Sequence, residues 1–158
     1  MDYAQDPMTG FKTLEHAFSQ GFRMKRVPFT KDMYFVRDRA LGYFRYTYAR
    51  LDKLKVLQTV VLNGKEELNG LPCFGLYYGT LEELRGTGVT LPYIEKVLAE
   101  FTKNLPKSRS EFYFETSVDI SNEASLSIAT KLFGEATVDS IDDATGEAIR
   151  VWQTKVTR

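Results

Sequence analysis

The sequence predicts an α+β fold in three layers, with a mixed, mostly antiparallel central sheet of six or seven strands flanked by helices. Two patterns lead to this prediction. Apolar residues recur at helical spacing in three segments, at 10–24, between Leu91 and Leu105, and at 122–133. The segments between them alternate with a period of two and are rich in Tyr and Phe, as strands are. Aromatic residues make up 13% of the chain, which suits a core built on a large sheet.

Length and charge narrow the class of protein. At 158 residues, the chain is expected to form one domain over residues 10–157, preceded by a flexible segment at 1–9. Its 21 basic and 21 acidic residues give zero net charge, whereas proteins that grip nucleic acid or anionic membranes usually carry a basic excess. We therefore expect neither nucleic acid nor a membrane as a partner.

The single cysteine and the single histidine also limit the chemistry. Cys73 cannot form an internal disulfide and suits a reducing compartment, and no apolar run is long enough to span a membrane. With no signal peptide recognisable at the polar start, the protein is expected to be cytoplasmic. Cys73 is predicted to be a small core residue. His16 has no other ligand type at metal-binding spacing, so no metal is expected.

The first predicted element is the helix at 10–24. Three strands follow it, at Met33–Asp38, Tyr43–Leu51 and Lys55–Leu62. The third is either a separate strand or a continuation of the second past a kink at Asp52-Lys53. Asn63-Gly64 is a strong hairpin signal, so a turn is predicted there. Asn69-Gly70 is expected to end the segment that follows this turn, and a buried strand is predicted next, at Cys73–Thr80.

The second half of the chain alternates helices and strands. After the helix that begins near Leu91, Glu111–Ile120 is predicted as a strand with Phe112, Phe114, Thr116 and Val118 on one face. Ser121 or Asn122 is expected to cap a helix that ends at Gly134. Two final strands are predicted as a hairpin, at Glu135–Ile141 and Glu147–Val156.

A glycine-containing loop joins the buried strand to the second helix. The order strand, turn, helix aims backbone N–H groups and the positive end of the helix dipole at one point, where phosphate binds well. Gly86 and Gly88 allow positive φ and let a ligand approach the backbone. Gly75, inside the preceding strand, predicts a bulge or a close approach by a backbone or ligand.

This order of elements, with two motifs, resembles the GNAT family of acyl-CoA-dependent N-acetyltransferases over residues 10–157. The family's loop has the form Gln/Arg-x-x-Gly-x-Gly/Ala; Arg85 and Gly88 match it, whereas Thr90 departs from it. Residues 121–134 are similar to the family's Asn-x-x-Ser/Ala followed by Lys-Leu-Gly-Phe, with Phe133-Gly134 in inverted order. The resemblance is nearest the branch that acetylates N-termini of ribosomal proteins.

The resemblance implies acetyl-CoA as co-substrate and a primary amine, on a protein N-terminus or a small molecule, as acceptor. The sheet is then expected to splay into a V between residues 73–79 and 111–119. The pantetheine arm would lie in the V, and an amide freed by a bulge at Gly75 would polarise the thioester carbonyl. Coenzyme A binding is implied for Tyr77, Arg85, Gly86, Thr87, Gly88, Val89, Thr90, Asn122 and Ser125.

The implied reaction is direct attack by the neutral amine through a tetrahedral intermediate, so a group must accept a proton. Its candidates are carboxylates on or after the central strands, Glu82, Glu83, Glu115 and Asp119, and Glu115 is preferred. Many members of the family carry a tyrosine that protonates the departing thiolate, but Ala129 stands at that position. Strand tyrosines are candidates to replace it, namely Tyr77, Tyr78 and Tyr113. We therefore predict Glu115, Glu83 and Tyr78 as the catalytic residues.

Two other functions fit the sequence. Departures from the family pattern at Thr90, Ala129 and Phe133-Gly134 would suit a catalytically inactive module that binds acyl-CoA or a protein partner. Arg45 between Tyr43 and Tyr46 would suit RNA binding on the sheet, which the zero net charge disfavours. The long tyrosine-rich strand pair predicts either a homodimer or a large binding face.

Overall fold

The computed structural model describes residues 7–158. Its first helix, α1 (Pro7–Ser19), begins and ends earlier than the predicted helix at 10–24. Gly21 accounts for the early end, because its φ of 96° lies outside the helical region. Residues 1–6 of the predicted flexible segment lie outside the described residues.

Within residues 7–158, the structure has three α-helices and eight strands, which form one mixed sheet in the order β1-β2-β3-β4-β5-β6-β8-β7. The strands are β1 (Lys25–Arg26), β2 (Met33–Ala40), β3 (Tyr43–Asp52), β4 (Lys55–Leu68), β5 (Leu71–Thr80), β6 (Glu111–Asp119), β7 (Val138–Ile141) and β8 (Ala148–Thr157). The other helices are α2 (Thr90–Asn104) and α3 (Glu123–Phe133). The predicted α+β class is confirmed, with one short strand, β1, beyond the six or seven expected.

The predicted turn at Asn63-Gly64 is wrong. Strand β4 continues through these residues to Leu68, and Asn63 is the register partner of Arg45 on β3. Because β3 supplies a partner this far along, pairing within the sheet overrides the local turn preference. The chain instead turns at Asn69-Gly70, where φ is 52° and 76°, the positive values that a two-residue type I′ hairpin requires.

The described chain forms two compact units. The first comprises the described residues up to Asn63 together with Tyr77–Lys103. In this unit α1 buries Phe11 and Phe18 in a cluster with residues of β3 and β4. Helix α2 buries four residues, Tyr93, Ile94, Val97 and Phe101. The Phe101 ring meets the Tyr46 ring edge-on, with centroids 5.1 Å apart.

The second unit comprises Gly64–Leu76 and Asn104–Arg158. Helix α3 packs on β6 and β8 through Ala129, which forms a buried cluster with Val118 and Trp152. The four β6 residues predicted to share a face, Phe112, Phe114, Thr116 and Val118, are all buried. No helix in residues 7–158 is long and apolar enough to cross a membrane.

Strands β5 and β6 pair in parallel, whereas β2–β3, β3–β4, β6–β8 and β7–β8 are antiparallel. The parallel ladder joins Cys73, Phe74 and Gly75 to Tyr113, Phe114 and Glu115 in register. These are three pairs from strands of ten and nine residues. The parallel ladder therefore covers only part of each strand, and the V between residues 73–79 and 111–119 stays a prediction.

Candidate active site

The glycine loop has the geometry that the sequence predicted. After β5, a single turn of 3-10 helix spans Glu82–Leu84, and an exposed turn leads into α2 at Thr90. Gly86 and Gly88 have φ values of 75° and 81°, in the left-handed region that favours glycine. A Cβ atom at either glycine would meet no heavy atom within 4 Å, so the backbone of the turn is open to a ligand.

Side chains fix both ends of this loop. The Arg85 Nε donates to the carbonyl oxygen of Thr80, at the end of β5, over 3.0 Å. The hydroxyl groups of Thr80 and Thr90 are 2.7 Å apart, so the unusual threonine of the motif joins the start of α2 to the end of β5. Within the turn, Thr87 Oγ1 donates to the Leu84 carbonyl at 2.5 Å.

The loop can therefore bind an anion by geometry. The N–H groups of the first turn of a helix have no intrahelical acceptor, and in α2 these include Thr90 and Leu91. Pro92 has no N–H to leave unpaired, so its place in this turn costs little. A diphosphate fits such a loop, because the positive end of the α2 dipole lies beside an exposed, glycine-rich backbone.

Glu115 lies in a polar network of the second unit. Its Oε1 is ion-paired with Lys65 Nζ, and its Oε2 accepts from Gln153 Nε2 at 2.8 Å. The Glu115 side chain is 17% exposed, so these partners, on β4 and β8, replace most of its water. Both carboxylate oxygens are thus engaged, and a proton-accepting role requires one of these contacts to open.

Gly75 lies beside this network. The sheet order puts β5 between β4 and β6, so the Lys65 side chain must cross β5 to reach Glu115. Gly75 is the register partner of Glu115, and registered partners present their side chains on the same face. Position 75 therefore lies next to Glu115 on the face that carries the Lys65–Glu115 pair.

The other predicted catalytic residues have different surroundings. Glu83, in the 3-10 turn, is 73% exposed and forms a loose ion pair with Lys55, Nζ to Oε2 3.5 Å. Such an exposed pair contributes little to stability. Tyr77 and Tyr78 are half-buried neighbours on β5, so alternation directs their side chains to opposite faces of the sheet.

Two residues with an implied role in coenzyme A binding contact each other. Asn122 is the N-cap of α3, and its Oδ1 accepts from the Ser125 backbone N–H at 3.1 Å. The capping role predicted for Asn122 is therefore confirmed. Ala129, at the position where family members carry a tyrosine, is 0% exposed and belongs to the core, so it offers no proton donor.

Cys73 and Asp119 are poorly suited to react. Burial, followed by the charge of Glu115, raises the pKa of the Cys73 thiol to about 11, so it stays protonated at neutral pH. Hydrogen bonds from Glu147 and from Ser121 lower the pKa of Asp119 from 3.8 to about 2. An acid of this strength is a weak base at neutral pH, which counts against Asp119 as the proton acceptor.

The aromatic strand proposed for RNA binding is partly engaged within the protein. Arg45 forms a bidentate ion pair with Asp38 across the β2–β3 hairpin. Tyr46 packs against Phe101 of α2. Of the three residues named for this role, Tyr43 is the exposed one.

Sequence reasoning missed the partners of Glu115. Lys65 directly follows the turn predicted at Asn63-Gly64. Gln153 lies in the predicted strand Glu147–Val156, where nothing sets it apart from its neighbours. Neither has a sequence signal, because the two residues meet Glu115 only through the strand order β4-β5-β6-β8. A strand assignment for residues 63–68 would have placed Lys65 in the sheet, but not near Glu115.

No family model matches the sequence, and no curated protein matches it. Solved structures do match. Ribosomal-protein-S5-alanine acetyltransferase from Vibrio fischeri aligns with a TM-score of 0.55 and 13% identity over 73% of this chain and 61% of that chain. An acetyltransferase of the GNAT family from Streptococcus pneumoniae aligns with a TM-score of 0.54 and 11% identity, over 71% of this chain and 66% of that one.

A third match is the NatC complex bound to Gag peptide and CoA, with a TM-score of 0.51 and 13% identity over 71% of this chain and 70% of that chain. The chain thus spans less than two thirds of the length of the first two proteins. These alignments show that the chain has the GNAT acetyltransferase fold, which confirms the predicted resemblance at the level of the fold.

Proposed function

We propose that this protein is an acetyl-CoA-dependent N-acetyltransferase that transfers an acetyl group to a primary amine, on a protein N-terminus or a small molecule. The observation that carries the proposal is the loop Arg85–Thr90. Its two glycines have positive φ, its backbone is open, and it leads into the N-terminus of a 15-residue helix in a chain with this fold. A solved structure of the same fold binds CoA, which supports the choice of ligand.

The roles of the residues follow from their chemistry. The loop from Arg85 to Thr90 would hold the pyrophosphate through backbone N–H groups and hydroxyl groups. Tyr77, Asn122 and Ser125 would contact other parts of the ligand. Glu115, once a contact to Lys65 or Gln153 opens, would accept the proton of the amine, and Glu83 is the second candidate. Tyr78 would return a proton to the thiolate that leaves when the C–S bond breaks.

Binding is tested by isothermal titration with coenzyme A and acetyl-CoA. Gly88→Ala and Gly146→Ala form a matched pair, because both glycines have positive φ, of 81° and 73°, and open surroundings. An alanine in this conformation costs about 1 kcal/mol at each site. We expect both variants to lose similar stability, while Gly88→Ala alone weakens coenzyme A binding. Equal affinity in the two variants would remove the loop from the site.

Catalysis is tested separately by thiol release from acetyl-CoA over a panel of amines that includes peptide N-termini and polyamines. Glu115→Gln should keep coenzyme A binding and lose turnover by about 100-fold or more, as expected for removal of a general base. If Glu115→Gln retains full turnover and Glu83→Gln does not, Glu83 is the base.

A catalytically inactive module that binds acyl-CoA or a protein partner is the second candidate function. Two observations favour it: both oxygens of Glu115 are engaged, and buried Ala129 supplies no proton donor. Tight coenzyme A binding without thiol release on any amine of the panel would select this function over the first.

The proposal includes the domain organisation, location and partners of the protein. We expect a single domain over residues 10–157, acting in the cytoplasm without a metal, with nucleic acid and membranes outside its partners. Sedimentation would show whether a homodimer forms. The zero net charge supports the absence of nucleic acid from this set, since polyanion binding normally requires a basic surface.

A further inference from the structure

Gln58 is a buried amide on β4 whose presence the core does not explain. It is 1% exposed, and Val60 and Leu62, which follow on the same face of the strand, are apolar and equally buried. A buried primary amide is costly unless it is hydrogen-bonded. Gln58 satisfies this need in two directions: Oε1 accepts from Arg50 Nη1, and Nε2 donates to the Val89 carbonyl oxygen, each at 3.1 Å.

The partners of this amide leave it one orientation. The Arg50 guanidinium can only donate and the Val89 carbonyl can only accept, so the amide oxygen must face Arg50 and the amide nitrogen must face Val89. Arg50 is the register partner of Gln58 on β3, and its Nε donates to Asp32 Oδ2 at 2.8 Å. A chain of hydrogen bonds therefore runs from Asp32 through two side chains to the backbone at Val89.

Val89 is the loop residue directly before Thr90, where α2 begins. The far end of the loop is held by Arg85 on the Thr80 carbonyl, and the start of α2 by the Thr80–Thr90 hydroxyl pair. Gln58 adds a contact from the buried interior of β4 to the loop backbone itself. A shift of the Val89 carbonyl would move the peptide units on either side, and with them the first N–H groups of α2.

We propose that Gln58, oriented by Arg50 and Asp32, is a positioning residue that sets the loop Arg85–Thr90 for the pyrophosphate of coenzyme A. This inference rests on the proposed function. Gln58 does not touch the ligand; it acts through the Val89 carbonyl. The role concerns the diphosphate part of the ligand, because Gln58 holds the loop and the loop is the part of the chain that would bind the diphosphate.

The test variant is Gln58→Glu, which keeps the size of the side chain and an acceptor for Arg50. Its ionised carboxylate has no hydrogen to donate and would turn an oxygen toward the Val89 carbonyl oxygen, so the two would repel. We expect coenzyme A to bind at least about tenfold more weakly, since the hydrogen bond to the Val89 carbonyl is lost and a buried carboxylate oxygen is left facing that carbonyl oxygen. Acetyl-pantetheine, which lacks the pyrophosphate, should show kcat/KM changed by less than about twofold.

A ligand-free measurement separates loop position from turnover. The backbone N–H resonances of Gly86 and Gly88 should shift in Gln58→Glu, and their hydrogen exchange should accelerate. Thr59→Val is the matched control: Thr59 is the adjacent buried polar residue of β4, 7% exposed, and faces the other side of the sheet. It should leave the two glycine resonances and the coenzyme A affinity unchanged.

If Gln58→Glu fails to fold, Gln58→Met removes the same hydrogen bonds with an apolar side chain of similar volume. The outcomes are distinct. A wild-type protein that binds no coenzyme A overturns the proposed function. A wild-type protein that binds it, with Gln58→Glu or Gln58→Met binding equally well, overturns the positioning role. Equal loss for coenzyme A and acetyl-pantetheine, or unchanged glycine resonances, also overturns it.

Discussion

At the scale of single residues, Tyr93 departs from the usual satisfaction of buried polar groups. Its side chain is 6% exposed, and its hydroxyl has no hydrogen-bond partner among the described residues. Burial, with the charge of nearby Asp32, raises the pKa of this hydroxyl, so it stays neutral. A neutral donor buried without an acceptor lowers stability, because it has lost its bonds to water.

Tyr93→Phe should therefore raise the free energy of unfolding by about 1 kcal/mol, as measured by urea denaturation. The matched control is Thr116→Val, since the buried Thr116 hydroxyl donates to the Leu76 carbonyl at 3.1 Å. That variant should lose about 1 kcal/mol, because a satisfied bond is removed. A loss of stability in Tyr93→Phe would show that its hydroxyl has a partner in solution.

Asp119 and Glu147 form a coupled pair of carboxyl groups on β6 and just before β8. Hydrogen bonds lower the pKa of Asp119 from 3.8 to about 2, and the same contact raises the pKa of Glu147. The contribution of Asp119 to stability is present above pH 3.8 and is lost as the pH falls toward 2. Glu147 has the opposite sign: its like-charge cost is relieved as the pH falls through its raised pKa.

The pair predicts the outcome of a titration by carboxyl-carbon NMR. In Asp119→Asn, the pKa of Glu147 should fall back toward its ordinary value, because the hydrogen bond to the Asp119 carboxylate and its charge are both gone. In Ser121→Ala, Asp119 loses the hydroxyl that donates to Oδ1 at 2.6 Å, so its own pKa should rise while that of Glu147 stays raised. An unchanged Glu147 pKa in Asp119→Asn would mean that the two groups do not interact.

At the scale of elements, two hairpins share a turn geometry but not a sequence. Leu41-Gly42 joins β2 to β3 with φ values of 53° and 83°, and Asn69-Gly70 joins β4 to β5 with 52° and 76°. Asparagine tolerates the left-handed region, whereas leucine does so at a cost of about 1 kcal/mol. Leu41 gains no burial in return, because it is 95% exposed.

Leu41→Asn should therefore stabilise the protein by about 0.5–1 kcal/mol in urea denaturation, since the turn becomes Asn-Gly. The reverse change, Asn69→Leu, should destabilise it by more than this gain. Besides the turn preference, it removes the hydrogen bond from Asn69 Nδ2 to Tyr113 Oη, 3.2 Å long. A destabilising effect of Leu41→Asn would mean that the leucine side chain makes a stabilising contact that outweighs the turn preference.

Local sequence patterns predicted most helices and strands. Particular residues show which features such patterns cannot predict. The α3 cap could be predicted as Ser121 or Asn122, because capping depends on residues three positions apart, and the structure selects Asn122. Strand β1 was missed because Lys25–Arg26 is two residues long and exposed, with no apolar alternation to detect. The Lys65–Glu115 pair and the Gln58–Val89 contact join residues 50 and 31 positions apart, so they depend on strand order, which local patterns do not contain.

At the scale of the whole molecule, the prediction of a single domain over residues 10–157 has a thermodynamic consequence. Strands β4 and β5 each contribute residues to both compact units, so neither unit can lose its structure without unravelling part of a shared strand. We expect one calorimetric unfolding transition whose van't Hoff and calorimetric enthalpies agree. Two resolved transitions would instead assign the compact units to separate domains.

The position of the hairpin turn at Asn69-Gly70, and not at Asn63-Gly64, also determines which asparagine deamidates first. Deamidation of asparagine requires the next backbone nitrogen to attack the side-chain carbonyl, a geometry that extended β4 denies Asn63 but an exposed turn permits at Asn69. Trypsin cleaves at Lys65, between the two sites, so their peptides separate. After storage at alkaline pH, the peptide that contains Asn69 should show the deamidated mass first, and Tyr113→Phe should hasten it by releasing the Asn69 side chain.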